Sequence, residues 1–235
     1  MVTAKSEIWV FGDYRNYFQN RVTLQLISRA TDLARPLNAT VCTTVFGCNT
    51  DEWVGEYIAH GAQKVYLVED ESLKNYSSDR YVTLMERLAR QYRPEIILVG
   101  ATSFGREFAP RVAKRLGTGL TADCVGLDVD DDGLLVQTAP AFGGNLLTKI
   151  VTPHKRPQMA TVRPGVFREI PHNYEATGEI VRVPLPKDLP ADRIRITGYE
   201  HRPPLTQKLE DAAVVVCGGR GMGGKAKFKN LFELA

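Results

Sequence analysis

From Ile8 to Gly117 short apolar runs and helix-period segments take strict turns, and no other feature restricts the possible folds as tightly. Ile8-Trp9-Val10-Phe11 is a strand-length run ended by Gly12-Asp13. Val22, Leu24, Leu26, Ile27, Ala30, Leu33 and Ala34 recur at helical spacing, and Pro36 is expected to close that helix. Ala39 to Phe46 is β-branched and stops at Gly47. Asn49 and Glu52 are spaced as a capped helix start, with Trp53, Tyr57 and Ile58 carrying the helix to Gly61. Lys64 to Val68 is a third strand, and Arg80 to Tyr92 a third helix that stops before Pro94. Ile96 to Gly100 is a fourth strand and Arg106 to Leu116 a fourth helix, with Gly117 just past its end. Alternation at this spacing predicts an α/β domain, a parallel sheet with helices on both faces.

Beyond Thr121 the texture changes. Ala122 to Val129, Leu134 to Thr138, Leu146 to Val151 and Met159 to Val162 are β runs separated by turns, expected to form an antiparallel extension of the same sheet. Prolines cluster from Pro171 to Pro204 around two further runs, Glu179 to Val183 and Arg193 to Thr197, as in a wrapping segment. The organisation expected is an α/β domain over 1–200, a linker over 201–208 and the beginning of a second domain over 209–235.

A net charge of +3 with scattered basic residues gives no footprint for nucleic acid. The longest apolar runs are strand-length and the N-terminus lacks a signal-type apolar region, so no membrane insertion is expected. Cys42, Cys48, Cys124 and Cys217 show no C-x-x-C spacing and read as reduced thiols of a cytoplasmic protein.

The richest local signal is near the end. Val214-Val215-Val216-Cys217 reads as a β run opening onto Gly218-Gly219-Arg220-Gly221-Met222-Gly223-Gly224-Lys225 and then onto a helix. Such a turn collects backbone N–H groups and a helix N-terminus around an anion. Gly219-x-Gly221-x-x-Gly224 fits the dinucleotide fingerprint, but the acidic ribose ligand due about 20 residues later would fall past Ala235. The Walker A spacing also fits through Lys225, yet Ala226 stands where a metal-binding Ser or Thr is required, which argues against ATP hydrolysis. The bland alternative is a ligand-free strand-to-helix connection; Arg220, with guanidinium geometry suited to phosphate, favours the anion.

Elsewhere the bland readings prevail. Ser103 is expected to cap the fourth helix, although Ser103, Gly105 and Arg106 could instead form a second anion pocket at the carboxyl edge of the sheet. Asp128-x-Asp130-x-Asp132-Gly133 copies half a calcium loop, but Ala139 replaces the required Glu, and a hairpin turn is expected. His60 is expected to serve a helix C-terminus, while His154 and His201 fall in segments expected to be exposed. No catalytic residue and no metal ligand set is assigned.

Several segments, in order, carry a family resemblance. They are Leu98 to Glu107, Leu120-Thr121-Ala122-Asp123-Cys124, Pro140-Ala141-Phe142-Gly143-Gly144-Asn145, Arg156 to Gly165, and Val216 to Gly223. Together they resemble the alpha subunit of an electron transfer flavoprotein. The resemblance implies an N-terminal domain of the adenine nucleotide alpha hydrolase-like type that packs on a beta subunit, followed by the start of a flavodoxin-like FAD domain. It implies an electron carrier subunit, rather than a stand-alone enzyme, that passes electrons through FAD between a dehydrogenase, such as an acyl-CoA dehydrogenase type, and an acceptor. Gly218, Gly219, Arg220, Gly221 and Met222 match the family's first, phosphate-side FAD contact. The later FAD segments have no counterpart before Ala235, so the native protein is expected to continue. Leu120 to Cys124 and Pro157 to Gly165 resemble the anaerobe variants that hold a second FAD in the beta subunit and bifurcate electrons from NADH, in which case Gln137 and Arg163 would approach that flavin. The competing reading is a non-redox nucleotide-binding or assembly module.

Overall fold

A computed structural model describes residues 6–194, 196–198, 200, 212 and 214–235. The chain divides into two compact units, Met1–Ile194 and Arg195–Ala235. The first runs Glu7–Phe11 (β1), Tyr17–Leu37 (α1), Thr40–Gly47 (β2), Asp51–Ala59 (α2), Lys64–Glu69 (β3), Ser78–Tyr92 (α3), Ile96–Gly100 (β4), Ser103–Leu116 (α4), Leu120–Cys124 (β5), Gly126–Val129 (β6), Leu135–Ala141 (β7), Leu146–Ile150 (β8), Gln158–Val162 (β9) and Glu179–Arg182 (β10).

Seven strands form one sheet in the order β10-β3-β2-β1-β4-β9-β5, every neighbouring pair parallel. Its central strands β1, β2, β4 and β9 are buried on both faces because helices cover both. Side chains alternate across a strand, so Ile8 and Val10 of β1 enter one core layer with Leu26, Ile27 and Ala30 of α1, while Trp9 and Phe11 enter the other with Met85 of α3 and Phe108 of α4. Glu7 anchors the second layer: its carboxylate accepts from Trp9 Nε1 at 2.8 Å, Tyr66 Oη at 2.9 Å and Lys64 Nζ at 3.2 Å.

The expected antiparallel extension is corrected in two ways. Met159 to Val162 joins the large sheet in parallel as β9, with β5 paired beside it, while Glu179 to Arg182, expected within the wrapping segment, is its parallel edge strand β10. The antiparallel strands β6, β7 and β8 form a separate three-stranded sheet. Alternation marks a strand but not its partner, which depends on where the chain returns. The expected run Arg193 to Thr197 is not a strand at its described residues.

Helix ends also depart by a residue or two. Pro36 lies inside the last turn of α1, and the chain leaves at Asn38, whose φ of 46° is left-handed. Thr50, not Asn49, precedes α2: its N–H and Oγ1 both donate to Glu69 Oε1, at 2.9 and 3.1 Å, and these bonds hold the Glu69 carboxyl below its ordinary pKa. The Asp128 to Gly133 segment is the expected hairpin turn, with Asp130 Oδ1 accepting from Asp132 N and Leu134 N at 3.1 and 2.8 Å.

After β10 the proline-rich segment lies along α3. Val183 N donates to Leu67 O at 2.8 Å, and Val183, Leu185 and Leu189 pack on the second core layer. Arg87 grips Asp188 with two bonds of 2.7 and 2.8 Å, and Arg193 meets Asp79 at 2.6 Å. These guanidiniums, with Arg111 also on Asp79, hold both aspartates below the ordinary carboxylate value of 3.8. A depressed folded-state pKa contributes stability that is complete above the unfolded value and disappears as pH falls through the folded one. Segment 183–193 is therefore expected to lose amide protection below about pH 3.8 before the sheet does, and also at neutral pH in roughly 1 M salt, where exposed pairs are screened. Hydrogen exchange corrected for intrinsic rates reads this out, and an unchanged segment would show that its apolar contacts alone secure it.

Candidate functional site

The glycine turn belongs to the second unit. Val214 to Cys217, expected as a strand, is not one: Val214 is 81% exposed, and no described segment offers it a ladder partner, without which an extended run gains no strand bonds. Arg220 to Met222 form a single tight turn, with Met222 N donating to Gly219 O at 3.0 Å and Gly223 N to Arg220 O at 3.2 Å. Gly223 and Gly224 then take φ of 73° and 154°, a path open to glycine, and deliver the chain into Lys225–Leu234 (α5).

A cavity of about 400 Å³ lies between the turn and one face of α5, lined by Gly219, Arg220, Met222, Lys225, Phe228 and Phe232, with Lys229 beside them. Arg220, Gly219 and Met222 of the expected set thus share one wall. Gly218 does not reach it; a Cβ there would stand 2.3 Å from Leu231 Cδ1, so its absent side chain lets the turn close on the helix. Gly221 also lies outside the lining, with open space around it. Phe228, Lys229 and Phe232 were not singled out in the sequence, although Lys225, Phe228, Lys229 and Phe232 repeat at helical spacing and could have been read as one stripe.

The start of α5 is electrostatically unusual. Its first turn has no acidic residue and no side-chain cap, and it carries Lys225 and Lys227. Cations at the positive end of a helix dipole are unfavourable by about 0.3–1 kcal/mol each, and an anion on the same N–H groups reverses that sign.

At the carboxyl edge of the large sheet the second anion pocket is not formed. Thr102, rather than Ser103, caps α4, its Oγ1 accepting from Gly105 N at 3.1 Å. Arg106 Nε donates to Ala101 O at 3.1 Å. Between β1 and β4, where the strand order reverses, Arg15 binds Asp13 and lies 3.6 Å above the Phe104 ring. The crevice where open α/β sheets take ligands is thus crossed by the chain's own side chains, which weakens a nucleotide-binding reading of the first unit.

Gln137 is fully buried, its Nε2 3.5 Å from Leu135 O, so it faces this chain's interior and not a neighbouring flavin. Arg163 is half-exposed and binds Asp123 at 2.6 Å, holding that carboxyl below its ordinary pKa; Asp123 itself adopts φ of 56° at a break in the β5–β9 register. His60 serves the C-terminus of α2 as expected, Nδ1 lying 2.9 Å from Glu56 O, and His154 is exposed. His201 and the linker 201–208 lie outside the described residues. Among the described residues the four cysteines are free, and no His, Cys, Asp and Glu group of metal-binding size occurs.

One hairpin is conspicuously apolar. Every residue of β8 is exposed, and with Phe142 it presents Leu146, Leu147, Ile150 and Val151 on the β7–β8 hairpin, Phe142 being 81% and Leu147 65% exposed. Leu146 and Ile150 share one face of β8 and Leu147 takes the other, with Val151 just past the strand's end, and a cluster of exposed apolar side chains on one hairpin marks an association element.

Residues 8–188 match the electron transfer flavoprotein domain. The chain is 41% identical over 229 residues to electron transfer flavoprotein subunit alpha of Thermoanaerobacterium thermosaccharolyticum, covering 97% of this chain and 69% of that protein. It is 38% identical over 231 residues to the subunit of the same name from Clostridium acetobutylicum, again covering 97% and 69%. A more distant similarity, 34% over 228 residues, is to the lactate dehydrogenase (NAD(+),ferredoxin) subunit LctC of Acetobacterium woodii, covering 97% of this chain and 54% of that one.

Proposed function

The chain belongs to the electron transfer flavoprotein family, and we propose that it acts as the alpha subunit of an electron carrier. In this reading the second unit supplies the phosphate-side contact to FAD and the first unit docks a beta subunit. The observation that carries the cofactor assignment is the cationic, uncapped start of α5 beside Arg220. Bound FAD would supply the redox chemistry, accepting electrons from a dehydrogenase and delivering them to an acceptor. The protein's part is to hold and orient. Arg220 presents a planar guanidinium to a phosphate, Gly219 leaves the backbone accessible, and the exposed rings of Phe228 and Phe232 offer apolar surface beside it. Gly218 and Gly221 shape the turn.

The exposed apolar hairpin is the element we assign to the beta subunit, whose docking would remove Leu147 and Phe142 from water. The dehydrogenase of acyl-CoA type, and bifurcation from NADH with a second FAD in the beta subunit, are finer proposals; the similarity to LctC supports the second. With Gln137 in the core, Arg163 is the residue left to approach such a flavin. No helix among the described residues is long and apolar enough to cross a membrane, and we place the complex in the cytoplasm. The domain arrangement we propose keeps the N-terminal domain over 1–200, the linker over 201–208 and the FAD-domain portion over 209–235.

Purification of the alpha–beta complex from its native source tests the reading. The expected result is a 1:1 heterodimer with visible flavin absorbance, and Leu147→Asp is expected to abolish pairing while leaving the circular dichroism of the isolated chain unchanged. A heterodimer without flavin would overturn the cofactor assignment, and pairing that survives Leu147→Asp would overturn the docking face.

A further inference from the structure

A second cavity, of about 670 Å³, lies on the first unit between α2 and the segment that leads into β10. Its volume is in the range of small-molecule sites. One wall is helical, with Glu52 and Glu56 one turn apart, Trp53 beside them and Gly55 at the floor; the other carries His172 and Tyr174. Among the described residues no lysine or arginine lines it.

Three features shape this open cleft, whose outer wall is exposed, Tyr174 by 86%. The His172 ring stacks on Tyr174 at 5.4 Å with planes 7° apart and meets the His60 ring edge-on at 4.2 Å, while His60 is itself tied to the Glu56 carbonyl. The Glu56 carboxylate is held from behind by Asn20, 4% exposed, whose Nδ2 donates to Oε2 at 2.7 Å. Gly55 sits mid-helix, where glycine weakens a helix relative to alanine, yet a Cβ there would meet nothing within 4 Å. Among the described residues no packing calls for a glycine, and its effect is to leave the space above the helix backbone open.

We propose that this cavity binds a small organic cation carrying a guanidinium group. Two carboxylates on one helix face supply acceptors and charge, and the faces of Trp53 and Tyr174 turned away from Tyr14 and His172 suit a flat, weakly hydrated cation. The assignment is independent of flavin chemistry.

Agmatine is the probe, and tryptophan fluorescence the readout. Trp9 is fully buried, so a change reports on Trp53, which is partly exposed and stacks on Tyr14 at 5.8 Å. A saturable change is expected with agmatine and none with the neutral analogue butylurea. Glu56→Gln retains an acceptor for Asn20 and is expected to weaken binding roughly tenfold, as loss of a charge-assisted bond does. Gly55→Leu, whose side chain would grow into the open cavity, is expected to abolish binding without lowering the melting temperature. Lack of saturation, an equal response to butylurea, or unaltered affinity in both variants would overturn the proposal.

Discussion

Gly105→Ala is expected to destabilise the first unit by about 3 kcal/mol or more, at the upper end of the cost of overpacking. The first turn of α4 presses on the end of β4 so closely that an added Cβ would stand 1.8 Å from the Gly100 carbonyl oxygen and 3.0 Å from its carbon. Both atoms are backbone of a central strand. Gly100 pairs with Val162 of β9, and the next amide, Ala101 N, donates to Val162 O at 2.7 Å, so neither side can yield without disturbing the ladder. For a domain of this size the melting temperature is expected to fall by roughly 10 °C. Gly117→Ala is the control. Its φ of 69° is strained for alanine, but the space around it is open, so a cost of only about 1 kcal/mol is expected. Thermal unfolding of the two variants measures the difference. Equal losses would mean that α4 can slide along the sheet, and that close packing at Gly105 is not what positions it.

Arg220→Ala is expected to weaken retention of FAD in the alpha–beta heterodimer by roughly 10- to 100-fold, the value of a hydrogen bond to a charged group. Arg220→Lys is expected to recover only part of this, because an ammonium lacks the planar fork. Removing a cation from a phosphate contact also flattens the salt dependence of binding, which a mere folding defect would not do. The measurement is flavin release on dilution at low and high salt. An Arg220→Ala heterodimer with unaltered affinity and salt response would show that Lys225, Lys229 and the α5 amides carry the phosphate without it.

Of the proposed cofactor site, the parts readable from sequence were those with chemical or conformational signatures, Arg220 and the glycines around it. The lining by Phe228, Lys229 and Phe232 depends on how the helix folds back against the turn, and only the coordinates place them. The same limit explains the misplaced features. Ser103 and Thr102 are equally good caps on paper, and backbone direction at the end of β4 chose Thr102. Gln137 alternates within a strand as a surface residue could, yet the sheet formed by β6, β7 and β8 turns it inward.

What the sequence by itself determined is the succession of strands and helices through α4, the class of the fold, and the glycine turn. These rest on local periodicity and on residues with special backbone freedom, which act within a few positions of themselves. Only the tertiary structure decided that β9 and β10 join the large sheet while β6, β7 and β8 separate from it, that Arg15 crosses the crevice between β1 and β4, and that α2 and the segment before β10 enclose a cavity. Each is a contact between residues distant along the chain. Such contacts are selected by the burial available once the whole core has assembled, a quantity with no local signature in the sequence.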